Sequence, residues 1–245
     1  ALTHAITAGF MLQAMLGALI QILPVVVGVN LASPLALARR VHAACTLGLL
    51  ALSAAFLTFE PWWFRIAAAL FAFGLGDFVL AVARAFAGVR GVGATFSGLR
   101  LGVFGLFVTG ALGVLLAAGL GELLAVPLVE LTDTHAVWGF LAWGSVLLAA
   151  VAYVVVPMFQ LTPPYPGWFE RRYAGVVLAT VSLWTLLDYS VRAFSEPGSA
   201  IERLPPEVTL SFVPYADNLQ SWIDQARAQG HEVMLEMPME PTGYP

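Results

Sequence analysis

The chain has 245 residues, of which 60% are hydrophobic and only 11% charged, with a mean hydropathy of +0.85 and a net charge of -4. A soluble domain is about one quarter charged. So few charges do not cover a folded globule of this length, which excludes a soluble fold. The weak negative charge, with all eleven basic residues arginine, also excludes nucleic acid as a partner.

Apolar runs of about twenty residues span a bilayer core of about 30 Å. Six such runs lie near 4–27, 41–59, 62–87, 97–120, 135–159 and 172–194, each bounded by charges, Pro or Gly. Lipid offers no partner to backbone N–H and C=O groups, so the runs must be helices. The expected fold class is therefore an all-α membrane bundle of about six transmembrane helices over 1–194, with the lipid bilayer as its partner. Ala1 is not an initiator methionine and the first run is too long for a signal core, so no cleavable signal is expected, and a longer parent chain is. The single cysteine, Cys45, sits in the second run, so no disulfide framework is expected. Asp77 and Arg84 interrupt the third run. The fourth is rich in small residues (Gly98, Gly102, Gly105, Gly110, Gly113), which suits close helix contact in lipid. Trp62, Trp63 and Trp168 stand at run edges, as an interfacial aromatic belt places them.

The arginines set an expected orientation. Arg39 and Arg40, Arg90 and Arg100, and Arg171 and Arg172 follow the first, third and fifth runs, whereas the loops after the second and fourth are acidic or mixed (Glu60, Arg65; Glu122, Glu130, Asp133). The positive-inside rule then puts the N-terminus and the C-terminal tail outside, on the periplasmic side in a bacterial inner membrane.

After Arg192 the composition becomes polar. Residues 195–200 read as a linker, and 201–245 as a small α/β fragment: a strand over Val208–Val213, an amphipathic helix over Asn218–Gln229 capped at Gly230, and a strand over Val233–Met237. One βαβ unit does not cover both faces of a parallel sheet, so the tail is expected to be part of a larger α/β domain.

The residues with most chemical promise form a repeat. Thr3-His4-Ala5-Ile6 opens the first run and Thr134-His135-Ala136-Val137 the fifth, each followed some twenty residues later by a proline, Pro24 or Pro157. Both runs are odd-numbered, so both histidines are expected near the outer face at one depth. Two neutral imidazoles facing each other are what a haem, here haem b, needs, and a copper or zinc site could use them too. The alternative is that each histidine simply caps a helix start at the headgroups. His42 opens the second run at the opposite side and is expected to be interfacial. Asp77 and Arg84 are expected to pair across the bundle or to snorkel, and Asp188 and Arg192, at i and i+4, to form an interfacial ion pair. Met158 is expected to fill space.

The block from Thr3 to Gly28, with His4, Met11 and Pro24-Val25-Val26-Val27-Gly28, resembles the haem-bearing second helix of haem–copper oxidase subunit I. Thr134 to Pro166 resembles oxidase-subunit-I-like bacterial membrane proteins related to the nitric-oxide-response proteins that bind haem and copper. That likeness implies a haem or redox partner, with His4 the better-supported ligand and His135 second. The chain departs from it by lacking the three copper histidines and the late histidine pair, so oxygen reduction is not implied. The tail, with Leu204-Pro205-Pro206-Glu207-Val208, Gly230-His231-Glu232-Val233 and Pro238-Met239-Glu240-Pro241, resembles the divergent polysaccharide deacetylases. By that resemblance His231 and Glu240 are the tail's site candidates, and the membrane part becomes an anchor for a periplasmic enzyme truncated in this sequence. A cofactor-free structural subunit is the remaining alternative.

Overall fold

The computed structural model describes residues 1–194, 210–212, 219–230 and 233–235. The chain divides into two compact units, Ala1–Leu183 and Trp184–Pro245.

Five helices of the first unit are long and apolar enough to cross a membrane: α1 (Leu2–Val27), α2 (Pro34–Thr58), α3 (Pro61–Ala87), α4 (Ala94–Leu120) and α5 (Leu128–Gln160). The sixth expected span forms as helix α6, Gly167–Phe194, which runs through the division between the units. It is not among those five. Glu170, Arg171 and Arg172 at one end and Asp188 and Arg192 at the other confine its uncharged stretch to residues 173–187. Fifteen residues reach about 22 Å at 1.5 Å each, short of the hydrocarbon thickness.

The boundaries follow from local chemistry. Pro34 and Pro61 are the first residues of α2 and α3, where a missing N–H costs nothing. Helix α1 ends at Gly28, whose φ of 69° is the left-handed cap position that glycine adopts without strain. The two histidine-bearing helices share further features. Both contain a π-helical segment, Ala5–Met11 in α1 and Trp138–Ser145 in α5. Both also carry their proline three residues from the end, at Pro24 and Pro157.

The core is a lengthwise seam. Leu12, Leu16, Leu19 and Leu23 of α1 recur at the spacing of one helix face and pack with Val41 and Cys45 of α2, Phe78 and Val82 of α3, and Leu99, Val103 and Leu106 of α4. Helices α4 and α5 approach unusually closely. A Cβ built on Gly98 would lie 2.8 Å from the Ala150 Cβ, and one on Gly105 only 2.3 Å from the Ala142 carbonyl oxygen. Backbone approach of this kind replaces hydrophobic drive where the solvent is lipid. The outward surface is apolar, with Leu57, Phe104, Phe107 and Leu148 all exposed, as bilayer contact requires.

Asp77 pairs across helices, not along its own. Its Oδ2 accepts from Arg40 Nε at 2.8 Å, and Arg40 Nη2 lies at 2.8 Å as well. Arg84 shares a face with Asp77, but seven residues separate them by about 10 Å along the axis. That leaves Asp77 closer to a cation on the neighbouring helix. For the expected Asp188–Arg192 pair, the Arg192 side chain lies outside the described residues.

In the second unit, β1 (Leu210–Phe212) and β2 (Val233–Leu235) pair in parallel, with Leu210 opposite Val233 and Phe212 opposite Leu235. Between them runs α7, Leu219–Ala228, with Ile223 and Ala226 buried on one face. Gly230, at φ 85°, takes the left-handed conformation after that helix. The linker 195–200, His231 and Glu240 lie outside the described residues.

Candidate functional site

A cavity of about 560 Å³ opens within the first unit. Its walls come from the beginnings of α1, α3 and α5 and the ends of α2 and α4, as an up-and-down helix order demands. His4 and His135 both line it, together with Met11, Met15, Phe56 and Trp143.

The two histidines meet. Their ring centroids are 6.4 Å apart and their planes differ by 16°. His4 also stacks on Phe56 at 5.5 Å with planes 30° apart. His135 is held from a different side, its Nδ1 lying 3.1 Å from the Thr109 carbonyl oxygen of α4. A carbonyl only accepts, so Nδ1 carries the proton and Nε2 keeps its lone pair. One turn further along α4, Gly113 makes the room: a Cβ there would sit 3.0 Å from His135 Cε1. Thr109 turns its own hydroxyl back to the Gly105 carbonyl at 2.8 Å, leaving its carbonyl to the histidine.

Around His135 the chain is packed at Thr134 and Trp138 and exposed at Ala136. Thr134 is 2% exposed and Trp138 6% exposed, and Thr134 Oγ1 donates to the Glu130 carbonyl at 2.9 Å. The π segments begin directly after His4 and three residues after His135. In α1 the wide turn is visible as the Leu12 N–H reaching the Thr7 carbonyl five residues back. Such segments re-aim the side chains around them and occur often at functional sites.

A haem can be tested against this donor set. Imidazole nitrogens bind a metal at about 2.0 Å and lie about 1.2 Å from the ring centre. Two imidazoles that share one ion therefore have centroids no more than about 6.4 Å apart, and the observed separation lies at that limit. Among the described residues no group of three or more His, Cys, Asp or Glu could hold a metal ion. A structural zinc wants four protein ligands, whereas a haem brings four nitrogens of its own and needs two more. The volume points the same way. A bare ion fills only the gap between the rings, while about 560 Å³ of mainly apolar space falls in the range of organic cofactor sites. Two histidines and an apolar volume of this size are the donor set and the space that a haem would need.

Other candidates are placed elsewhere. His42 does not line the cavity; it bonds through Nδ1 to Gln13 Oε1, which also accepts from Thr46 Oγ1 at 3.3 Å. Asp77, Arg84 and Asp188 do not line it either. Met158 is 59% exposed, whereas Met11 and Met15 do face the cavity. The contributions of Thr109, Gly113 and Phe56 were not foreseen. Only Gly113 carried a signal, as one of five glycines in the fourth run.

The first unit is thus a helical bundle, with five helices long and apolar enough to cross a membrane, around a two-histidine cavity. Residues 195–245 match the family of divergent polysaccharide deacetylases. The match covers 51 of 245 residues and is a likeness of the tail alone. Neither a search of the curated proteins nor a search of the solved structures returns a match. The resemblance of residues 1–194 to oxidase subunit I therefore gains no support from them.

Proposed function

We propose that the first unit is an integral membrane haem protein, holding haem b between His4 and His135 near the periplasmic face of a bacterial inner membrane. The observation that carries this reading is the parallel approach of two imidazoles from separate helices, 6.4 Å apart, in an apolar cavity of cofactor size. His4 and His135 would supply the axial nitrogens, and Thr109 orients the second of them. The haem, when bound, supplies a one-electron iron centre, suited to electron transfer or gas sensing. The apolar walls exclude water, and the Thr109 bond keeps the His135 Nε2 lone pair free for the metal.

Copper is the runner-up metal at the same pair, with Met11 and Met15 as soft donors nearby; the cavity volume argues against it. The test is an absorption spectrum with metal analysis of the detergent-solubilised chain. A Soret band with about one iron per chain is expected. Copper without a Soret band would replace haem by copper, and a colourless, metal-free preparation would leave the cofactor-free structural subunit.

One observation favours a second reading, in which the bundle anchors a carbohydrate-modifying domain. It is the deacetylase likeness of residues 195–245, joined to a strand, a helix and a parallel strand in that region. Under that reading the gene downstream of the Pro245 codon encodes further strands and acidic metal ligands. A stop codon there, or coding sequence without them, sinks it.

A further inference from the structure

The two histidines are held unequally, and this has a functional consequence that rests on the haem reading above. His135 is fixed at three points. Its Nδ1 donates to the Thr109 carbonyl, its ring lies against Gly113, and Thr134 before it is buried, although Ala136 after it is exposed. Turning this ring away would break the hydrogen bond to Thr109 and lift the imidazole off Gly113. His4 has none of these restraints. Among the described residues no hydrogen bond reaches its ring, which is held only by stacking on Phe56 and by facing His135. Its neighbours Thr3 and Ala5 are exposed, and Ile6 is 51% exposed. The cavity continues from His4 along Thr7, Ala8 and Met11, so a swung-out ring or an incoming molecule finds room on that side.

We infer that His135 is the anchoring ligand and His4 the exchangeable one, so that a small neutral π-acceptor such as carbon monoxide displaces His4 and leaves His135 in place. The step trades one donor for another. The bond from the His4 ring nitrogen is broken, one bond to the incoming molecule is formed, and neither an electron nor a proton changes hands. The apolar wall favours neutral diatomics over charged ligands, which would have to be desolvated to enter.

The experiment uses the full chain in detergent, reduced with dithionite, and compares the wild type with His4→Ala and His135→Ala. His4→Gln and His135→Gln are a second pair that keeps polarity and most of the volume. The readouts are haem content per chain, Soret position and the rate of carbon monoxide binding, with size-exclusion elution as the check on folding. Carbon monoxide should shift the wild-type Soret band. His4→Ala should keep most of its haem, turn high-spin, bind carbon monoxide at least about 10-fold faster and recover the wild-type spectrum on adding imidazole. His135→Ala should lose haem affinity by about 10-fold or more, the scale set by losing a ligand and its oriented partner. Equal haem loss in both variants, greater loss in His4→Ala, or a wild-type band that ignores carbon monoxide would each overturn the inference while leaving the haem in place. A wild type with no Soret band overturns the haem reading and this inference together.

Discussion

Replacing Gly113 by leucine is expected to cut the haem content of the purified protein by about 10-fold or more while the bundle stays assembled. The His135 ring lies directly over this glycine, with Cε1 at 3.0 Å and Nδ1 at 3.4 Å from the position a Cβ would take. A methyl group at 3.0 Å already requires the imidazole to give by a few tenths of an ångström, and its bond to Thr109 resists that movement. Alanine should therefore shift the spectrum and weaken binding in part. Leucine adds three more carbons, which can only push the ring off the Thr109 carbonyl or fill the cavity that Gly113 lines. Helix α4 itself should tolerate the change, because glycine is the poorer helix former by about 1 kcal/mol. Haem content by absorbance, alongside size-exclusion elution and helicity, separates the two effects. Full haem occupancy in a folded Gly113→Leu protein would show that His135 is not a ligand in the conformation described.

The second large effect concerns assembly. Gly105→Val should destabilise the bundle by about 3 kcal/mol, the upper part of the range for overpacking a close contact. The added Cβ would fall 2.3 Å from the Ala142 carbonyl oxygen, 2.5 Å from its carbonyl carbon and 2.8 Å from the Trp143 nitrogen. All three are backbone atoms, so no rotamer change relieves the clash. Helix α4 must move away from the π segment of α5, and that segment is the one adjoining His135. Gly17→Ala is the matched control: nothing lies within 4 Å of the added Cβ, so stability should stay level or rise slightly. Thermal or denaturant unfolding in detergent, followed by helicity, measures both. Near-equal stability of Gly105→Val and Gly17→Ala would mean that α4 and α5 are not in this contact.

What was legible in the sequence is whatever depends on local composition or on parity. The helices could be placed because a long apolar run in lipid has only one way to satisfy its backbone, and Pro34, Pro61 and Gly28 mark ends by their own conformational limits. The matched level of His4 and His135 followed from counting crossings, and their ring contact agrees with it. The role of the glycines in the fourth run was legible as a need for close contact, though not as to which partner each would meet.

Tertiary structure alone decided the rest, because direction around a helix axis depends on packing and not on order along the chain. Asp77 and Arg84 share a face, yet Asp77 pairs with Arg40, since helix rise holds the first two apart while packing brings α2 alongside α3. The Thr109 carbonyl could not be picked out in advance, because every residue has a carbonyl and only the turn of α4 against α5 aims this one at His135. The same rotation set Gly113 beneath the imidazole, while among the described residues no hydrogen bond orients the His4 ring. The residues that name the candidate chemistry were readable in order; the inequality between the two histidines belongs to the packing.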